Sequence, residues 1–332
     1  MPLIEAPTVS ETYETPPRVS PPSVSVVICT YTDLRRHDLL HALHSLRRQT
    51  HAPHEVIVVV DHNPDLLGWV RAQAPDVLAI ENRQEAGLSG ARNSGVRAAR
   101  GAIVAFLDDD AVADSRWIGG LSAAYRDPGI LGAGGSVLPS WERRPAWFPE
   151  EFAWVVGCTY RGLPPRRSAV RNLIGCNMSF RREVFEQLGG FTTRLGRIGK
   201  SLGCEETELC IRIGEHAPSR TLVYDPEMKV HHRVPRDRSS WKYFLSRCYS
   251  EGSSKAELAR LAGGDRGLAS ERAYALRTLP TGIWNEIKAG RPARAIAISV
   301  GFLVTVVGFG SAVLFRGRPS ASIARAGQAG AS

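Results

Sequence analysis

Apolar and polar positions follow two different periods along this chain, and each switch between them marks an element. Val24-Ser-Val-Val-Ile-Cys-Thr-Tyr-Thr32 is an apolar, β-branched run that turns polar at its end, which predicts a strand leading into a loop. From Leu34 to Arg48, Leu39, Leu40, Leu43 and Leu46 recur at helical spacing. Glu55 to Pro64 holds a second buried strand with Asp61 at its carboxyl end, and Val77 to Ile80 a third that closes on Glu81-Asn82. Gly87-Leu-Ser-Gly-Ala-Arg-Asn-Ser-Gly95 opens a helix that continues through Val96 to Arg100. Ile103 to Leu107, entered from Gly101, reads as another buried strand and ends abruptly in Asp108, Asp109 and Asp110. Strands joined by helices through short connections predict a parallel α/β sheet, which binds ligands at the carboxyl ends of its strands. Thr30, Tyr31, Asp61 and the three aspartates therefore converge on one crevice. Hard oxygen ligands so spaced suit Mg²⁺ or Mn²⁺, and such ions usually hold phosphates as well; a solvated acidic turn remains the alternative. Asp61 is open to two readings in the same way, as a ligand or as a turn cap.

Downstream, Asp114 to Tyr125 predicts a helix and Ile130 to Val137 a strand built through small residues. Trp141, Trp147, Phe148, Phe152 and Trp154 follow in a Pro-rich stretch, either packing the sheet or forming a platform for an acceptor. Arg161, Arg166, Arg167 and Arg171 make the next loop basic, and Glu205-Glu206 open an amphipathic helix carrying Leu209 and Ile213. An acidic first turn is by itself favourable against the helix dipole. His231 and His232 lie in an expected edge strand, where adjacent side chains face opposite ways, so only one can enter the crevice; His231 is taken as that one.

Residues 255–290 are basic and amphipathic, with Leu258, Leu261, Leu268, Tyr274, Leu276 and Trp284 as expected interfacial contacts. Ala295 to Phe315 is an uncharged apolar run of 21 residues. As a helix it would measure about 31 Å, enough to span a bilayer. Arg291 and Arg294 before it balance Arg316 and Arg318 after it, so the distribution of basic residues does not fix an orientation.

Composition narrows the function without choosing it. The 332 residues include 43% hydrophobic and 23% charged, ordinary for a globular protein, and 42 Lys plus Arg against 33 Asp plus Glu give +9, which favours anionic partners. None of the six cysteines forms a C-x-x-C pair or a zinc-like spacing, so reduced, mostly buried thiols are expected. His37, His41 and His44 share the first helix without an accompanying carboxylate or cysteine pattern, and read as exposed. The glycine-rich stretches match neither a phosphate-binding G-x-x-x-x-G-K-S/T loop nor a dinucleotide G-x-G-x-x-G turn.

Together, Val26-Val-Ile-Cys-Thr-Tyr31, the strand ending at Asp61, Gly87 to Gly95 and Phe106-Leu-Asp-Asp-Asp110 resemble the family 2 inverting glycosyltransferases over roughly residues 23–252. The resemblance implies a GT-A fold, a nucleotide-sugar donor (UDP first, with GDP and dTDP as alternatives) and a Mg²⁺ or Mn²⁺ ion. It implies that Thr30, Tyr31 and Asp61 hold base and ribose. It places Asp108 near ribose and metal and Asp110 on the ion, with Asp109, Arg92 and Asn93 also on the donor side. A histidine, taken as His231, adds a metal ligand. Asn172 to Arg182 resembles the segment lining the acceptor side. Gly203-Cys-Glu-Glu-Thr-Glu-Leu209 stands where the family has Gly-Glu-Asp-x-Glu/Asp-Leu, which makes Glu205 and Glu206 the catalytic acids and Glu206 the general base, one methylene longer than the usual aspartate. The absence of a Q-x-x-R-W signature disfavours a processive synthase.

The expected organisation is a disordered leader (1–22), a GT-A domain (23–252), an amphipathic basic region (253–294), a transmembrane helix (295–315) and a polar tail (316–332). The expected enzyme transfers a sugar to a hydroxyl of a glycan or lipid-linked acceptor in cell-envelope synthesis. It would be held in the inner membrane by one span, with the catalytic domain facing the cytosol and no nucleic-acid partner. Two rivals stand beside it: a polyprenyl-phosphate sugar synthase, and an inactive membrane-bound glycan- or nucleic-acid-binding protein.

Overall fold

The computed structural model describes residues 21–193, 203–261 and 269–315. Nearly all of the expected leader, Leu268 and the tail from residue 316 lie outside the described residues. The first half alternates as the pattern predicts: β1 (Val24–Thr30), α1 (Arg36–Arg47), β2 (Glu55–Val60), α2 (Pro64–Gln73), β3 (Leu78–Glu81), α3 (Leu88–Ala98) and β4 (Ile103–Asp108). The helix expected from Leu34 begins instead with a 3-10 turn at Asp33–Arg35, because the Thr32 side chain caps Leu34 N. β1, β2, β3 and β4 are parallel, and β1 pairs with both β2 and β4.

The second half adds β5 (Ala111–Ala113), α4 (Trp117–Ala124), β6 (Ile130–Trp141), β7 (Ser168–Val170), β8 (Asn177–Arg181), α5 (Arg182–Leu188), α6 (Glu205–His216) and β9 (Thr221–Val234). The sheet runs β3-β2-β1-β4-β8-β6-β9-β5, with β7 also on β9, and turns antiparallel where β8 meets β4. β9 is thus no edge strand at its histidines, since β6 lies on one side and β5 on the other. The short β5, which the sequence pattern did not announce, is what covers it.

Alternation along β1 divides the core into two layers. Val24, Val26 and Ile28 face one cluster with Leu39, Leu43 and Trp117, while Val27 faces the other with Ala91, Phe106 and Leu209. Asn177 is fully buried between the strands and donates to Ser136 O and Met228 O while accepting from Trp117 Nε1. It holds the sheet together and does not line an acceptor path. The aromatic stretch packs: Phe148 and Phe152 are buried, and Trp147 stacks on Trp241 at 4.2 Å.

α7 (Trp241–Leu261) runs unbroken through residue 252, where the catalytic domain was expected to stop, because its Phe244, Cys248 and Leu258 are all core residues. After it come α8 (Ala269–Ala273), a π turn (Tyr274–Thr278), α9 (Leu279–Lys288) and α10 (Pro292–Phe315). Of the expected interfacial contacts, Leu276 and Trp284 are exposed, whereas Leu258 is buried and Tyr274 donates to Glu151 O. Glu271 on α8 joins Arg171 (2.7 Å) and Lys255 (2.9 Å), tying this region to the sheet domain.

Burial opposes the charge of Glu271, but Lys255 and then Arg171 outweigh it and hold the carboxyl at about 2, below its ordinary 4.5. A lowered folded-state value means that the network stabilises above about pH 4.5 and loses that stability as pH falls through about 2. Glu271→Gln is expected to cost on the order of 2 kcal/mol near neutral pH and to flatten the acid limb of the stability curve. Thermal unfolding across that range checks it, and an unchanged acid limb would contradict it.

Candidate functional site

The site forms where β1, β2 and β4 end together. At the end of β2, Asp61 is held by three neighbours: Asn82 Nδ2 (2.6 Å) and His62 Nδ1 (2.7 Å) on Oδ1, and the Gly87 amide (2.8 Å) on Oδ2. Gly87 takes φ 119, and a Cβ at Gly90 would lie 2.0 Å from Glu85 O, so this close turn demands glycine. Thr30 is buried at the end of β1, and Tyr31 beyond it is exposed. The strand ends therefore carry a fixed carboxylate at one side and an exposed aromatic ring, with Arg35 Cζ 6.0 Å from its centroid, at the other.

The three aspartates divide. Asp109 turns inward and accepts from Arg35 Nη1 at 2.7 Å. Burial pushes its carboxyl up to about 6 in spite of Arg35, and the Asp110 charge adds to the effect. Asp109 is therefore a buried partner of Arg35, which removes it from the donor-binding residues. Asp108 and Asp110 group with His232, with ligand atoms from all three within 4.8 Å of one another, although Asp110 also lies 3.3 Å from Arg35 Nη1. His232 Nε2 lies 3.1 Å from Asp110 Oδ1, an atom with no well-aligned hydrogen bond. Burial opposes the Asp110 charge, but His232, Arg35 and Arg238 together hold this carboxyl well below the usual range. Two carboxylates and an imidazole, with Asp110 Oδ1 lacking a well-aligned hydrogen bond, fit a Mg²⁺ or Mn²⁺ ion. The histidine is His232, not His231: β9 alternates, His232 is buried and His231 points outward. Sequence reasoning saw that only one could enter but lacked the pairing partner that decides which.

Arg92 and Asn93, expected on the donor, are both spent on the protein. Arg92, 3% exposed, donates to Glu205 Oε1 at 2.8 Å and to Gly175 O at 3.1 Å, and its Nη2 lies 3.8 Å from Asp108. Asn93 clasps Phe191 from both sides, with Nδ2 donating to its carbonyl and Oδ1 accepting from its amide. Glu205 is likewise buried against Arg92, with its Oε2 left without a hydrogen-bond partner. Glu206, beside it in the first turn of α6, is half-buried. Cys204 precedes them at φ 84, a strained conformation for a residue with a side chain. Arg35, which approaches Asp110 at 3.3 Å, was missed as a site residue, and Arg238 lies 3.7 Å from the same carboxylate. Arg238 stood in the sequence among basic residues after the histidines, but Arg35 carried no signal beyond its place after β1.

With this geometry in place, the comparisons are specific. The family model for glycosyl transferase family 2 matches residues 25–189. The glucosyl-dolichyl phosphate glucuronosyltransferase of Haloferax volcanii is 37% identical over 238 residues, 70% of this chain and 76% of the relative. The succinoglycan biosynthesis protein ExoM of Rhizobium meliloti is 26% identical over 80% of both chains. Among solved structures, the mannosyltransferase PcManGT of Pyrobaculum calidifontis, in complex with GDP-Man and Mn²⁺, superposes with a TM-score of 0.58 over 89% of this chain and 88% of its own, at 17% identity. The chain belongs to glycosyltransferase family 2, has the GT-A fold, and is a glycosyltransferase.

The two histidines give a direct check. His232→Ala and Asp110→Asn are each expected to weaken Mn²⁺ binding at least about 100-fold, with His231→Ala changing it less than about threefold. Titration of the ion by calorimetry or electron spin resonance reads this, and a larger loss for His231→Ala would reverse the assignment.

Proposed function

We propose that the protein is a metal-dependent inverting glycosyltransferase that moves a sugar from a nucleoside-diphosphate donor to a hydroxyl of a glycan or lipid-linked acceptor. The observation that carries this reading is the set of Asp108 at the end of β4, Asp110 just beyond it and His232 on β9, with ligand atoms brought within 4.8 Å of one another. Thr30, Tyr31 and Asp61 are assigned to the nucleoside, with UDP preferred over GDP or dTDP. Asp108, Asp110 and His232 would hold the ion. When bound, it supplies charge stabilisation to the departing diphosphate. Glu206 takes the acceptor hydroxyl proton as that oxygen attacks the anomeric carbon opposite the leaving group. Arg92 fixes Glu205 and so the start of α6, which carries Glu206.

A lipid-linked acceptor is supported by two features besides the name of the Haloferax relative. α10 is long and apolar enough to cross a membrane. Near its N-terminal end, where Arg294 donates to Ala146 O, Arg143, Arg236, Ser239, Ser240 and Trp147 line a cleft of about 380 Å³ suited to an acceptor phosphate. Nucleotide sugars are made in the cytosol, so the domain is assigned to that face of the inner membrane. The name of the Rhizobium relative supports a place in cell-envelope glycan synthesis.

Glu206→Gln keeps size and hydrogen bonding but cannot accept the proton. It is expected to lower kcat by about 10²–10⁴-fold while leaving donor affinity intact. Loss of donor binding with kcat unchanged would make Glu206 a donor ligand and contradict the assignment.

A further inference from the structure

The apolar helix is packed on the domain along one face. Ala295, Ala297 and Ile298 are buried at its start. A Cβ at Gly301 would lie 2.7 Å from the Phe152 ring and 2.9 Å from that of Phe244, both core residues. Further along, α10 meets α7 backbone to backbone: a Cβ at Gly252 would fall 2.0 Å from Thr305 O, and one at Gly308 2.1 Å from Tyr249 O. Tyr249 Oη then bonds Ser311 Oγ at 2.7 Å, and Ser253 Oγ donates to Gly308 O. One face of α10 is therefore docked from Ala295 to Ser311, about 24 Å of helix against a hydrocarbon core of about 30 Å.

Those contacts constrain how the helix can meet a bilayer. Were α10 to run along the membrane normal, the docked part of α7 would enter the hydrocarbon with it. Arg247, Glu251 and Lys255 lie on that part, and charged groups at membrane depth are rare and costly. The opposite face of α10 is apolar and open, with Ile296, Leu303, Val307 and Leu314 between 53% and 75% exposed. On α9, Trp284 and Ile287 are exposed as well, and Lys288 Nζ sits 4.9 Å over the Trp284 ring. An apolar stripe on α10, with an exposed tryptophan and its cation on the neighbouring α9, matches a membrane surface with anionic head groups, where aromatic and basic residues gather.

We propose that α10 lies in the plane of the membrane surface, docked on α7, and does not cross the bilayer. The residues after Phe315 then stay on the same side as the catalytic domain. This inference rests on the membrane attachment proposed above but not on the chemistry assigned to the site. It also makes α10 a wall of the domain, with Ile298 buried and Gly301 against the Phe152 and Phe244 rings.

The test is the sidedness of the two chain ends in sealed inverted vesicles from cells expressing the full-length protein, tagged before Met1 or after Ser332. Proteolysis without detergent is expected to remove both tags. A C-terminal tag protected until detergent is added would mean that α10 spans and would overturn the proposal. Full-length protein found wholly in the soluble fraction would overturn both the orientation and the attachment, leaving the transferase reading to the Glu206→Gln and Mn²⁺ measurements. As a second arm, Leu303→Glu places a charge on the open stripe, away from the site. It is expected to reduce flotation with anionic liposomes about tenfold with donor hydrolysis unchanged. Unchanged flotation would remove the stripe from the membrane contact.

Discussion

The guanidinium of Arg92 joins parts of the chain that nothing else among the described residues joins so directly. It comes from α3, reaches the carbonyl of Gly175 ahead of β8, and pairs with Glu205 at the start of α6 while standing near Asp108 at the end of β4. Burying such a charge costs several kcal/mol unless it is fully compensated. Here the Phe106 and Phe191 rings lie 5.8 and 5.5 Å from its Cζ, and the acids Glu205, Asp108 and Glu206 raise its pKa against the effect of burial. The end of β4, the approach to β8 and the start of α6 are thus hung from one cation.

Charge balance explains how so many acids share a small volume. Asp108, Asp109 and Asp110 would repel one another if all three faced the same way. Arg35 bonds Asp109, while Asp108 and Asp110 group with His232. Arg35 and Arg238 then offset part of the charge on Asp110. The docked helices add a second constraint, since glycines on α7 and α10 allow the close approach that keeps a 24-residue apolar helix against the domain.

Much of this was legible in the residues. Periodicity announced β1, β2, β4, α1 and α3, because each is a run of one period bounded by polar or glycine-rich turns. The carboxylate cluster and the acid pair announced a site because like charges so close need a counter-ion. What escaped was decided by long-range pairing. His232 replaced His231 because β5, three residues long, packs on β9 and fixes which face is inward. Arg92 and Asn93 were donors in the right place, but their partners Glu205 and Phe191 lie roughly a hundred residues away. The residue 252 taken as the end of the catalytic domain lies inside α7, which runs from Trp241 to Leu261 and has buried Phe244 and Cys248 before it and Leu258 after it.

The central claim, that one buried ion pair couples the two sides of the crevice, is tested most directly by a double-mutant cycle on stability. Arg92→Met and Glu205→Gln each leave one partner without its counterpart, and each is expected to cost about 3–5 kcal/mol. The double variant is expected to cost at least about 2 kcal/mol less than the sum of the two. Single costs that simply add in chemical denaturation would contradict the account, because Arg92 and Glu205 would then act independently.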